Sequence, residues 1–111
     1  MVTLKIQLPP EVTPYAEELR RHIDAMVYKL KVHAKKGKWE NIDLAQTQEL
    51  LRAEVDELSD AIKSGNMVEV LLESADVSNY ALIISSIAIE RGNDDQHAGA
   101  GTQLGATVGN R

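Results

Sequence analysis

The stretch from Met67 to about Arg91 leaves this chain few ways to fold. It is unbroken, and from Ala81 to Ile89 it reads Ala-Leu-Ile-Ile-Ser-Ser-Ile-Ala-Ile. As a helix, that half is apolar on almost every side. Such a helix belongs in the middle of a bundle, not on its surface. β-Branched residues are frequent there and would suit a strand locally, but the unbroken length favours a helix. Asn66, with Glu69 three residues on, makes a capping box at its start.

Two earlier segments also carry helical periodicity. Thr13-Pro14 reads as a helix start, with Thr as the N-cap and Pro at the first helical position. Tyr15, Leu19, Ile23, Met26, Leu30 and Ala34 then mark one face, and the helix should end near Lys36-Gly37. Residues 37–43 read as a loop. Asp43 with Gln46 is a capping box that opens a second helix. Its stripe is Leu51, Val55, Leu58 and Ile62, and Gly65 is its natural stop.

The ends look different. Val2, Leu4, Ile6 and Leu8 alternate with polar residues at strand period, but no second run exists to pair with them. An extended arm or an intermolecular strand is expected, ended by Pro9 and Pro10. After Gly92 the sequence is rich in Gly, Ala and polar residues, which reads as a flexible tail. The expected organisation is an arm at 1–13, a helical domain at 14–91 and a tail at 92–111. The fold class is all-α, an antiparallel helical bundle. Three helices are one short of four-helix packing, so a second subunit or a short unrecognised helix must complete it.

Composition narrows the function. The chain has 111 residues and a net charge of −5, which suggests one domain and argues against a general nucleic-acid binder. With no cysteine, disulfides and thiolate metal sites are excluded. No run is expected to be long and apolar enough for a membrane span, and the N-terminus lacks a signal peptide's pattern. A cytoplasmic protein without a membrane partner is the default expectation. Phe is absent, which leaves Trp39 as the one large aromatic to explain.

The chemistry sits in four acids. Glu54 and Glu57 are three apart on the second helix and share a face, and Glu73 and Asp76 do the same on the third. Glu69 and Tyr80 lie near that face, with Asn79 at its edge. Helices joined by a short turn pack antiparallel. Glu57 and Glu54 lie eight and eleven residues before Gly65, and Glu73 and Asp76 lie eight and eleven after it. The two pairs should therefore meet at one height beside an apolar core. Exposed like-charge pairs cost only roughly 0.2–0.5 kcal/mol each, whereas partly buried, unpaired carboxylates cost several. A bound cation removes that cost, and all-oxygen ligands favour Mg²⁺ or Mn²⁺. Glu54 and Glu57 alone would suit a solvated helix face; the matched second pair argues for a site. A ferritin-like di-iron centre needs Glu-x-x-His pairs, and His22, His33 and His97 follow no such glutamate.

Lys29, Lys31, Lys35, Lys36 and Lys38 crowd the end of the first helix and the next loop. Favourable charge at a helix C-terminus accounts for Lys29 and Lys31. Lys36 or Lys38 is a candidate for phosphate contact. Trp39 either stacks on a base or closes the end of the bundle. There is no P-loop and no dinucleotide-binding glycine pattern.

These residues together carry a resemblance. Glu54-Val55-Asp56-Glu57, a fifteen-residue gap and Glu73-Ser74-Ala75-Asp76 match the E-x-x-E…E-x-x-D pattern of the MazG-like all-α nucleoside triphosphate pyrophosphohydrolases. Lys36-Gly37-Lys38-Trp39-Glu40 resembles the KGxW loop of small bacterial and phage members. Asp76-Val77-Ser78-Asn79-Tyr80 resembles their D-x-x-N-Y/F continuation. The resemblance runs from about His33 to Arg91. It implies hydrolysis of a (deoxy)nucleoside triphosphate to the monophosphate and pyrophosphate, in control of the nucleotide pool. It also implies Glu54, Glu57, Glu73 and Asp76 as Mg²⁺ ligands, with Glu54 or Glu57 accepting a proton from the attacking water. Lys36, Trp39 and Asn79 become candidates for substrate contact. Members differ over dUTP, dCTP, purine triphosphates and phosphoribosyl-ATP, so a phosphoribosyl-ATP pyrophosphatase is an alternative. A non-catalytic helical dimerisation or interaction module is another. The apolar third helix predicts a homodimer or a tetramer.

Overall fold

The computed structural model describes residues 1–35 and 42–95. Its elements are a 3₁₀ helix, Pro10–Tyr15, and three α-helices: α1 (Ala16–Ala34), α2 (Leu44–Ser64) and α3 (Met67–Asp95). No strand occurs among the described residues. The all-α class is therefore observed.

The entry to α1 differs from expectation. The helical turn begins at Pro10, four residues before Pro14, and runs straight on into α1. Thr13 does not cap. Its hydroxyl donates to the Pro9 carbonyl at 3.4 Å, and Tyr15 precedes α1 without a side-chain cap. Proline explains the shift: Pro10 has its φ preset and no N–H to leave orphaned. The preceding residues form neither helix nor strand, and Met1, Val2, Leu4 and Ile6 are exposed.

The α2 boundaries follow the expected chemistry. Gln46 N–H donates to Asp43 Oδ1 at 2.7 Å, and Asp43 N–H donates to Gln46 Oε1 at 3.2 Å. At the far end Gly65 takes φ +73°, the left-handed region that favours glycine. Its N–H reaches the Ile62 carbonyl, and that of Asn66 reaches back to Ala61 at 3.3 Å. This pair of bonds is a Schellman stop. It changes the start of α3. Asn66 Oδ1 accepts from Glu69 N–H as expected, but the Asn66 N–H that Glu69 would have capped is already taken by Ala61.

The third helix runs through Gly92 to Asp95, past the expected end at Arg91. It packs against both α1 and α2, while α1 and α2 do not meet each other among the described residues. A central position for α3 is thus observed, but its cover is thin. Among the described residues the buried apolar ones are Ala25, Ala61, Ala75 and Ile83. The three alanines let the helices approach closely. Ile84 and Ile87 are half-buried, whereas Leu82 and Ile89 are exposed, as are Val55 and Ile62 of the α2 stripe.

One exclusion needs correction. Met67–Gly92 is long and apolar enough, by length and composition, to cross a membrane. The helix that lies at the centre of a bundle passes the same test. Here the segment packs on two helices and carries Glu69, Glu73 and Asp76 in its first half.

Candidate metal centre

The seam between α2 and α3 determines which acids are buried. Thr47, Glu54 and Ala61 recur at spacing seven along α2, and all three are wholly or partly buried. Glu54 therefore sits in a row that otherwise packs. From α3, Glu73 comes to meet it. Carboxylate oxygens of Glu54, Glu57 and Glu73 all lie within 4.8 Å of one another. Around one octahedral Mg²⁺, trans oxygens lie about 4.2 Å apart and cis oxygens about 3 Å, so the three carboxylates would have to close in to share an ion.

The electrostatics are strained without a cation. Burial first, then shared hydrogen bonding with Glu73 and Glu57 and the charges of Asp76 and Glu57, pushes the Glu54 carboxyl up to about 8. Burial also raises Glu73, with Glu57 and Asp76 adding to it and the hydrogen bond with Glu54 opposing it. Tyr80 is raised by burial and then by Glu54, Asp76 and Glu57. Glu54 Oε2 and Glu73 Oε2 are buried and have no hydrogen-bond donor. A single proton held between the two side chains would relieve one contact. With both ionised, neither can donate to the other. Orphaned oxygens on two of three carboxylates gathered within 4.8 Å are a donor set that suits a hard divalent cation.

Asp76 adjoins this group but is occupied. Its side chain is 6% exposed, with Oδ2 at 3.3 Å from Lys29 Nζ and Oδ1 at 3.2 Å from His33 Nε2. The structure thus gathers three glutamates, with the expected fourth carboxylate next to them and held by α1. Asn79 is almost fully buried. Its Nδ2 donates to the Met26 carbonyl at 3.0 Å, while its Oδ1 is buried without a partner. It joins α3 to the α1 backbone. Lys36 and Trp39 lie outside the described residues, as do Lys38 and His97.

Lys29 was expected in a solvated helix end. It lies inside instead, its side chain only 19% exposed. A pattern in α1 could have revealed it. His22, Met26, Lys29 and His33 recur at spacings of four, three and four, which is one helix face. All four touch α3: His22 Nε2 lies 2.6 Å from Ser78 Oγ, and Met26 accepts from Asn79. Lys29 and His33 flank Asp76, and the His33 ring also lies 6.4 Å from that of Tyr80. These polar α1–α3 contacts lie on a face rotated from the apolar stripe.

An open, mainly apolar groove of about 540 Å³ runs beside the first turns of α2, lined by Ile42, Ala45, Gln46, Glu49 and Leu50. None of the clustered acids lines it. Comparison with known proteins finds no matching family model, no matching curated protein and no matching solved structure.

Proposed function

We propose that this chain is a Mg²⁺-dependent nucleoside triphosphate pyrophosphohydrolase with a MazG-like helical fold, working in the cytoplasm on the nucleotide pool. The observation that carries the reading is the pair of buried, donor-less oxygens on Glu54 and Glu73, with Glu57 beside them. The acid motif and its spacing supply the reaction class.

Glu54 and Glu73 would hold the cation from opposite helices, with Glu57 at the open side. Mg²⁺ bound there supplies positive charge to phosphoryl oxygens and acidifies a coordinated water. Glu57 is exposed and adjoins solvent, so it accepts the proton of the attacking water, directly or through a second water. Glu54, more deeply set, serves as ligand. Attack at the α-phosphorus breaks the α–β anhydride and releases pyrophosphate. Mn²⁺ would serve in place of Mg²⁺. Lys36 and Trp39, in the loop that resembles KGxW, are proposed to meet the substrate. A homodimer or tetramer is proposed as the working unit.

The test is a substrate panel. Purified protein with Mg²⁺ is offered ribo- and deoxyribonucleoside triphosphates and phosphoribosyl-ATP, and pyrophosphate and monophosphate are measured. Pyrophosphate from at least one triphosphate supports the reading. Orthophosphate and a diphosphate as primary products would mean another reaction. No turnover of any of them would leave a non-catalytic helical module.

A further inference from the structure

We propose that Lys29 is a positioning residue that acts as the site's internal counter-ion, holding Asp76 until a divalent cation arrives and then passing to a polyphosphate oxygen. This rests on the metal-dependent reading above and assigns a role to a residue outside the acid motif. Asp76 is nearly buried, and each of its oxygens meets a nitrogen from α1, Lys29 on one side and His33 on the other. On α3 it lies three residues, one helical turn, after Glu73, whose carboxylate belongs to the cluster. The ammonium of Lys29, paired with Asp76, is thus a positive charge about one turn of α3 from the glutamate cluster.

A cation among those glutamates changes the balance. It repels the ammonium and attracts Asp76. The Lys29 stem is flexible and its side chain is 19% exposed, which lets the ammonium leave one oxygen for another. Its new partner is an anion brought by the metal, and a polyphosphate suits an ammonium with three donors. Lys29 then opposes binding of the bare metal and favours binding of the metal with its polyphosphate. These opposite signs separate the proposal from a structural ion pair, whose loss would weaken both.

The experiment compares wild type with Lys29→Gln by calorimetry, using Mn²⁺ alone and then the Mg²⁺–pyrophosphate complex on metal-loaded protein. Removing one like charge near the metal should tighten Mn²⁺ binding by about tenfold. Removing a phosphate partner should weaken the pyrophosphate complex by about tenfold. Both constants weakened, or both unchanged, in a variant with native circular dichroism would overturn the proposal. Wild type that binds no Mn²⁺ would overturn the metal-dependent reading together with it. Should Lys29→Gln fail to fold, the wild-type lysine Nζ resonances decide. The Lys29 signal, assigned through Lys29→Arg, must move towards that of a solvated ammonium on Mn²⁺-free Mg²⁺ loading. A signal that stays put would overturn the proposal.

Discussion

Glu54 and Glu73 face each other across the α2–α3 seam, and each keeps one buried carboxylate oxygen without a donor. That relationship makes the metal-free protein sensitive to pH with a definite sign. Glu54 is raised from the ordinary value of 4.5 to about 8, and Glu73 is raised as well. The folded state therefore holds protons more tightly than the unfolded chain. Linkage then gives a contribution to stability that is fully present below 4.5 and is lost as pH rises through about 8. Thermal unfolding in chelator should show Tm falling across that window. Added Mg²⁺ should flatten the fall, because the cation replaces the shared proton. A Tm that rises steadily through the same window in chelator would contradict this account of the site.

Glu57 is exposed and makes no packing contribution comparable to that of Glu54. Glu57→Gln should leave stability within about 0.5 kcal/mol of wild type. Pyrophosphate release should drop by at least about a hundredfold, the lower range for losing a general base. Helicity by circular dichroism and turnover on the best substrate check both halves. Full wild-type activity in excess chelator would refute the metal requirement.

Asp76→Asn should behave differently, since it leaves Lys29 without its carboxylate. Breaking a buried pair by removing one partner costs about 3–5 kcal/mol, and the partial exposure of Lys29 places the expected loss near the lower figure. Urea unfolding of Asp76→Asn, of Lys29→Gln and of the double variant gives the coupling directly. A coupling near zero would show that the pair contributes nothing.

Much of this was legible beforehand because it is local. The Asp43–Gln46 box, the Gly65 stop and the matched distances of the two acid pairs from that turn are all written in short windows, and short-range hydrogen bonding decides them. Less legible was what depends on another helix. Thr13 looked like a cap, but Pro9 and Pro10 had already started the turn. Glu69 looked like the second half of a box, but the Schellman bond from the preceding helix had taken its donor. Lys29 has the charge of a solvated helix end, but its place in the His22–Met26–Lys29–His33 face turns it towards α3. Asp76 shares a motif with Glu73, yet its oxygens turn to α1. No rule of spacing along α3 could have shown that.

The Gly65 turn sets the register of the two acid pairs, so it is a second place to intervene. A Cβ at Gly65 would meet nothing within 4 Å, which leaves the backbone at φ +73° as the cost. Gly65→Ala should destabilise by about 1–2 kcal/mol without displacing Glu54 from Glu73. Chemical denaturation and Mn²⁺ affinity test the two parts. Affinity lost beyond the change in stability would mean that the turn tolerates no such strain and shifts the register.

The last prediction concerns what covers α3. Leu82 and Ile89 are exposed on the single chain, at 44% and 56%. They lie in the stretch that the sequence marks as apolar nearly all round. Burying one such side chain contributes roughly 1.5–3 kcal/mol, and with so few buried apolar residues among those described, covering several is a clear gain. A second copy related by a two-fold axis presents the same residues in return. In a monomer, Leu82→Glu or Ile89→Glu exchanges an exposed residue for another and should be nearly neutral, within about 0.5 kcal/mol. In a dimer built on this face, each places a charge against its own symmetry mate and should dissociate the assembly and lower its Tm. Light scattering at micromolar concentration distinguishes the two. Wild type of 12.2 kDa, well folded and indifferent to either substitution, would show that α3 has no partner copy and that the single chain tolerates its exposed face.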